Sequence, residues 1–439
     1  MPATDRYGLA LTTASSAAAE HYQRGMDLLL SYGRGAGEAF DAALGADEGL
    51  AVAQAGRALF ALFLGDADTA RSAMALARER VAGASRRERQ HVAAVSTLVA
   101  GETARGLALI DEHVAEFPRD ALLVNQASSS IGLGGRADRE AHRTAFLERL
   151  APAFGEDWWF LSALGFVYHE QRRFAESRRL SERSLAQYPS NANASHNIAH
   201  ICFETLDNDG GVAFLSDWLA GYDRLAPYHC HLAWHLALFE LHRDRPRHAL
   251  EIYERDILGA VNARLAVMDG SALLWRFLLY ECAEGPLRWE PLTEIATRVA
   301  RPGFVFGEIH AALAYAACGD QRGLDRLMDG MRSLDAKGHP IAGRVALPLV
   351  RAAAAFAAGD HAETVAQLEP IEGEIHRMGG SHAQWELFEE TMVVSYLRLG
   401  RNEDAARLLR RRLALRASAR DARWLAQAGN ATGAASSAR

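Results

Sequence analysis

Two His-x-x-x-His pairs hold the residues best suited to chemistry in this chain. His196 and His200 lie in Ser195-His-Asn-Ile-Ala-His200, and His231 and His235 in His231-Leu-Ala-Trp-His235. Residues four apart in a helix share a face, one turn above the other. The second pair follows the first by 35 positions at both members. If that offset is one structural repeat, the pairs project from equivalent places on two stacked helices. Packed helices run roughly 8–10 Å apart, so four imidazoles are expected in one patch.

Neutral imidazoles at this spacing can ligate one ion while a second helix completes the coordination. Glu204, one turn beyond His200, is a candidate oxygen ligand, and Asp269 a candidate ligand or orienting carboxylate. A divalent metal such as zinc is the cofactor this donor set would take. The pattern His-Glu-x-x-His is absent, because Asn197 stands where its general base would be. Without metal, His196, His200, His231 and His235 with Asp269 or Glu204 offer catalytic acid–base chemistry near neutral pH, as in hydrolysis or elimination. Ser195 and Cys230 adjoin histidines in sequence, but neighbours in a helix face different ways. The plain alternative is hydrogen-bonded packing. Among 17 histidines some pairs four apart arise by chance, yet two pairs in register with a repeat are poorly explained so.

The elements that position these residues are helices. Only 12 prolines interrupt 439 residues, and the chain is rich in alanine, the best helix former. Breakers recur at Gly65-Asp66, Gly101-Glu102, Gly135-Arg136, Gln171-Arg172, Asn208-Asp209, Arg243-Asp244, Gly319-Asp320, Gly359-Asp360 and Gly400-Arg401. The glycines stand 36 and 34 apart at the start and 40 and 41 apart at the end. One breaker per mid-thirties period means helix–turn–helix repeats, and Tyr188-Pro189 and Phe117-Pro118 give the aromatic-proline ending of tetratricopeptide units. The expected class is all-α, a tetratricopeptide-like α-solenoid: a right-handed superhelix of antiparallel helix pairs at about 47–82, 86–117, 120–150, 157–188, 191–222, 228–257, 305–335, 341–378 and 381–416. Residues 1–46 read as an irregular start with one helix near Ala17–Ser31. The repeats fill 47–257 and 305–416. An irregular helical insert over 258–304 has helices around Leu265–Cys282 and Glu290–Ala300. Residues 417–439 read as a last helix and a tail without structure beyond Gly429.

Composition narrows the function classes. A net charge of −7 argues against a nucleic-acid footprint. No apolar run reaches the roughly 20 residues that cross a bilayer, and the start lacks a signal-peptide pattern. Cys202, Cys230, Cys282 and Cys318 are widely spaced without a C-x-x-C pair, as expected of reduced thiols in a cytoplasmic protein. Cys202 and Cys230 lie close enough to the histidines to be candidate thiol ligands.

The segments Ser85-Arg-Arg-Glu88-Arg-Gln-His91, Ser195 to His200, Cys230-His231 to His235, Ala342-Gly-Arg344-Val-Ala-Leu-Pro348 and Met378-Gly-Gly-Ser-His-Ala-Gln384 resemble the tetratricopeptide repeat protein 38 family. They span about 300 residues in the family's order. The resemblance implies a helical-repeat fold. It also implies that His91, His196, His200, His231, His235, Asp269, His310, Arg344 and Gln384 occupy the family's polar signature positions. The family places a Glu three residues after the second histidine, where this chain has Phe203 and then Glu204.

In stacked helix pairs the first helix lines the concave surface. His91, His196, His200, His231, His235, His310 and Arg344 all fall on first helices by this assignment. Ligand-binding roles are therefore expected for His91, His310, Arg344 and Gln384, with Trp158 and Tyr168 as an aromatic wall. Aromatics at helical spacing also fit a plain core, and Arg344 fits an interrepeat salt bridge as well as a carboxylate or phosphate partner. Two functions fit these residues. One is a histidine-rich pocket binding a metal or a small molecule, with or without enzyme activity. The other is a scaffold that binds a peptide or protein partner in its groove. Neither involves nucleic acid or membrane, and a homodimer through the end repeats is compatible with both.

Overall fold

The computed structural model describes residues 3–299 and 303–437, the stretch 431–437 as backbone alone. Among the described residues there is no strand, only an isolated bridge between Thr4 and Ala10. The helices are α1 (Ser16–Leu30), α2 (Ala36–Ala46), α3 (Ala51–Leu64), α4 (Ala67–Arg80), α5 (Arg86–Val99), α6 (Thr103–Glu116), α7 (Ala121–Leu133) and α8 (Arg139–Phe154). Next come α9 (Trp158–Glu170), α10 (Phe174–Gln187), α11 (Ala192–Thr205), α12 (Asn208–Ala220), α13 (His229–His242), α14 (Pro246–Ile252), α15 (Ala263–Tyr280) and α16 (Glu290–Val299). The chain ends with α17 (Val305–Cys318), α18 (Gln321–Ala336), α19 (Leu347–Ala357), α20 (His361–Leu368), α21 (His382–Arg398), α22 (Asn402–Leu415) and α23 (Ala419–Ser437).

The turn inside each pair needs one residue in the left-handed region, and the sequence supplies it periodically. Gly65 (φ +86°) and Gly319 (φ +67°) take it without a Cβ penalty. Where glycine is missing, Arg172, Leu206 and Asp244 adopt it instead, near +60°. An aspartate then caps the next helix: Asp66 accepts from the Thr69 amide, Asp320 from Gly323 and Asp360 from Glu363. The class is all-α, a tetratricopeptide-like α-solenoid built from such pairs.

Two compact units divide the chain. The first comprises Met1–Gly134, Asp138–Ile198 and Gly221–His229, and the second Gly135–Ala137, Ala199–Ala220 and Cys230–Arg439. The boundary passes through α11, between Ile198 and Ala199, so His196 and His200 are held to one another by a single uninterrupted helix.

Three expectations are adjusted. Residues 1–46 carry two helices, since α2 pairs with α1 after a glycine-rich turn in which Gly35 has φ +93°. The pair over 341–378 is less regular than its length suggests: a π turn at Ala342–Ala346 precedes α19, and a 3-10 run at Glu369–Met378 follows α20. The backbone beyond Gly429 stays helical to Ser437. Ala300, the expected end of the insert's second helix, lies outside the described residues, as do the last two of the tail.

Candidate metal centre

Asn197 sets the rotation of α11. Its side-chain amide donates to the Ser162 carbonyl at 2.8 Å and to Ser181 Oγ at 3.0 Å. A Cβ at Gly165 would crowd this seat, 3.1 Å from Asn197 Nδ2 and 3.0 Å from Ser181 Oγ. Asn191, just before the helix, donates to Ser162 and Ser184. With that polar edge fixed on α9 and α10, the flanking histidines turn elsewhere. The residue that removed the zinc-protease signature is therefore a positioning residue for the pair.

His200, His231 and His235 meet in the second unit. The His200 and His235 rings are edge-on with centroids 4.4 Å apart, and His231 and His235 are edge-on at 5.1 Å. His196 lies one turn before His200. Each of the four offers a ring nitrogen within 4.8 Å of the others. All are buried: His196 and His231 are 4% exposed, His200 1% and His235 0%.

Asp269 on α15 orients one of them. Both carboxylate oxygens lie 3.0 Å from His231 Nδ1, so the Nδ1–H donates there and Nε2 keeps the lone pair. This is the arrangement in which a carboxylate fixes the tautomer of a ligating histidine. His196 Nδ1 lies 3.4 Å from the Tyr228 hydroxyl, and its ring stacks on Phe166 at 5.6 Å and 12°. Tyr228 carried no signal in the sequence, standing alone just before α13.

The donors fit a divalent ion of borderline softness. Imidazole suits zinc, copper, nickel and iron, whereas calcium and magnesium need oxygens. A tetrahedral set at zinc–nitrogen distances of about 2.0–2.1 Å places nitrogens about 3.4 Å apart. The nitrogens here lie within 4.8 Å of one another, so the rings would draw together around an ion. Burial pushes the Cys230 thiol far above its ordinary value, with Asp269 adding to the rise, so no thiolate is on offer there.

The other sequence candidates are placed as follows. Glu204 is not in the histidine group: it accepts from His382 Nδ1 at 2.7 Å, so the expected oxygen ligand is committed elsewhere. His91 is fully buried, with Nδ1 2.9 Å from Asp120. His310 donates from Nδ1 to the Phe306 carbonyl, and burial lowers its pKa to about 4. Gln384 completes a capping box, its Oε1 accepting from the Ser381 amide. Arg344 points outward, its side chain 70% exposed and paired with Glu374 at 2.6 Å. Trp158 stacks on Tyr188 at 4.3 Å as core, and Tyr168 is half-buried under the Arg173 guanidinium. Gln384, Trp158 and Arg344 thus lie outside the histidine group.

No family model matches the chain. Among solved structures it is similar to the Rap protein complexed with competence and sporulation factor, over 86% of this chain and 99% of that one, at 11% identity and TM-score 0.44. It is similar to the APC/C hetero-tetramer Cut9–Hcn1 over 87% and 78%, at 12% identity and TM-score 0.39. A third is the P58(IPK) TPR domain, over 90% and 98%, at 13% identity and TM-score 0.21. Likenesses at this level carry nothing about ligand or partner. No helix among the described residues is long and apolar enough to cross a membrane.

Proposed function

We propose that this protein holds a divalent transition-metal ion between His196, His200, His231 and His235, and that the ion is part of a small-molecule site. The observation that carries this reading is the convergence of four buried imidazole nitrogens within 4.8 Å. Asp269 supports it by presenting His231 Nε2 to the group. An ion so held supplies Lewis acidity. Catalytic zinc keeps three protein ligands and a position for substrate; here a fifth position, or the displacement of one of the four histidines, would supply it. Hydrolytic or acid–base activity is thus the finer proposal, with Asp269 as positioning residue. The four free cysteines accord with a cytoplasmic home.

The test is metal analysis of protein purified without a polyhistidine tag, then incubated with zinc, copper or nickel and desalted. One equivalent is expected, and His235→Ala should lose it. Less than about a tenth of an equivalent in the wild type, or equal retention by His235→Ala, overturns the reading.

A second reading, a peptide or protein partner, is favoured by one feature of the first unit. Asn125, Ser128 and Ser129, half-buried at i, i+3 and i+4 on α7, put hydrogen-bonding side chains on one face, the kind of surface that grips an extended backbone.

A further inference from the structure

Five side chains of the first unit, His196 among them, run in a row of contacts whose two ends, Tyr32 and Arg143, are linked by charge alone. Tyr32, at the end of α1, stacks on Tyr228 with centroids 4.3 Å apart and planes at 16°. Tyr228 meets His196 edge-on at 5.4 Å, and His196 lies parallel to Phe166. The Arg143 guanidinium sits over Phe166 at 4.8 Å. Its charge reaches back to the Tyr32 hydroxyl, where burial lifts the pKa to about 12 and Arg143 opposes the rise. Phe63 buttresses Tyr32 at 5.2 Å. Tyr32, Tyr228, Phe166 and Phe63 are only half-buried, whereas Arg143 and His196 are buried.

Ordinary core packing explains the rings but not the arginine. Arg143 is 7% exposed. It passes over Gly132, where a Cβ would fall 2.7 Å from Nη1, so α7 keeps a glycine at the point of passage. Glu140 takes Nη2 at 2.7 Å, while Nε is buried without a hydrogen-bond partner among the described residues. Leaving such a donor unmade is expensive, and a ligand is one way to complete it. A guanidinium fork matches a carboxylate, and aromatic faces match a flat ring. Glu140 already offsets part of the positive charge, which suits a monoanion better than a phosphate dianion.

We propose that this row is a binding well for a small aromatic carboxylate, its ring against Tyr32, Tyr228 and Phe166 and its carboxylate on Arg143, beside the ligating histidine His196. The proposal rests on the small-molecule reading of the histidine site and names its substrate class.

Benzoate is the probe, titrated calorimetrically into the full chain with and without added zinc. Benzoate should bind, with benzyl alcohol and cyclohexanecarboxylate each about tenfold weaker or more, the factor expected when one good contact is lost. Arg143→Gln and Tyr32→Leu should each weaken benzoate about tenfold, while Arg344→Ala, at an exposed arginine, should leave it unchanged. If Arg143→Gln fails to fold by circular dichroism, Tyr32→Leu decides. No heat from benzoate up to about 10 mM, or equal affinity in the folded variants, overturns the well. Arg143-dependent binding by protein that takes up no metal keeps the well and sinks only the metal. Zinc-loaded protein that ignores benzoate does the reverse.

Discussion

Two groups of buried histidines in this molecule are built on opposite principles. In the first unit, His91 and His113 are tied to their own chain, with only His91 Nε2 lacking a hydrogen-bond partner among the described residues. A single oxygen of Asp120 receives His91 Nδ1 at 2.9 Å, His113 Nε2 at 3.1 Å and the Arg87 guanidinium at 2.9 Å. Gln90 takes the other nitrogen of His113. Burial pushes the Asp120 carboxyl up, but Arg87, His91 and His113 outweigh it and hold it well below the usual range. Along α11 and α13 the balance is different. One carboxylate, Asp269, attends His231, and four imidazole nitrogens face each other within 4.8 Å. A carboxylate and a guanidinium make the first group a structural knot. The second gathers four imidazoles beside the Asp269 carboxylate, a donor set suited to a cation.

The largest expected effect tests the knot. Asp120→Ala strips the counter-charge from a buried arginine, and removing one partner of a buried pair typically costs about 3–5 kcal/mol. Urea denaturation should show a loss of that order, with metal uptake by the folded fraction unchanged. A loss under about 1 kcal/mol would mean that Arg87 and His91 find other partners, and the contrast would weaken.

Asp269→Asn should behave in the reverse manner. Losing the orienting carboxylate of a ligating histidine costs about 10- to 100-fold in metal affinity, with the fold kept. Competition against a chelator measures the affinity, and circular dichroism the fold. Unchanged affinity would reduce Asp269 to a packing residue, like Asp120.

These contrasts show how far the sequence could be read. Helix pairs were legible, because breakers recur at near-constant spacing and the turns they mark need a left-handed residue. The in-register histidines were legible for the same reason. Helix α2 was not, since Gly33, Gly35, Gly37 and Gly45 blur its pattern. Gln384 was readable as a cap, because Ser381-x-x-Gln384 is the capping-box spacing, yet the family resemblance drew attention to a ligand role. Tyr228 and Tyr32 were out of reach. They meet across nearly 200 residues of chain, and no local period encodes such a pairing.

His382, half-buried at the start of α21, is a histidine held by charge. His382 faces Glu204 of α11, Glu386 of its own helix and Arg416. Burial alone would lower its pKa, but Glu386 and Glu204 outweigh burial and raise it above 6.5. A folded pKa above the unfolded one adds stability that is complete below pH 6.5 and lost as pH rises through the folded value. The melting temperature should therefore fall from pH 6 towards pH 9 by more in the wild type than in His382→Gln. Parallel pH profiles would show that His382 gains no charge on folding.

Arg344 gives the smallest effect and the sharpest check on placement by resemblance. Family position put it in the site, whereas the structure turns its side chain 70% into solvent beside Glu374, 2.6 Å away. Exposed pairs of this kind contribute about 0–1 kcal/mol, because water screens the charges and both side chains lose freedom. Arg344→Ala should thus change stability by no more than about 0.5 kcal/mol and leave metal stoichiometry untouched. A large loss of ligand or metal binding in that variant would place a working residue outside the buried cluster, and the contrast between the two histidine groups would no longer locate the site.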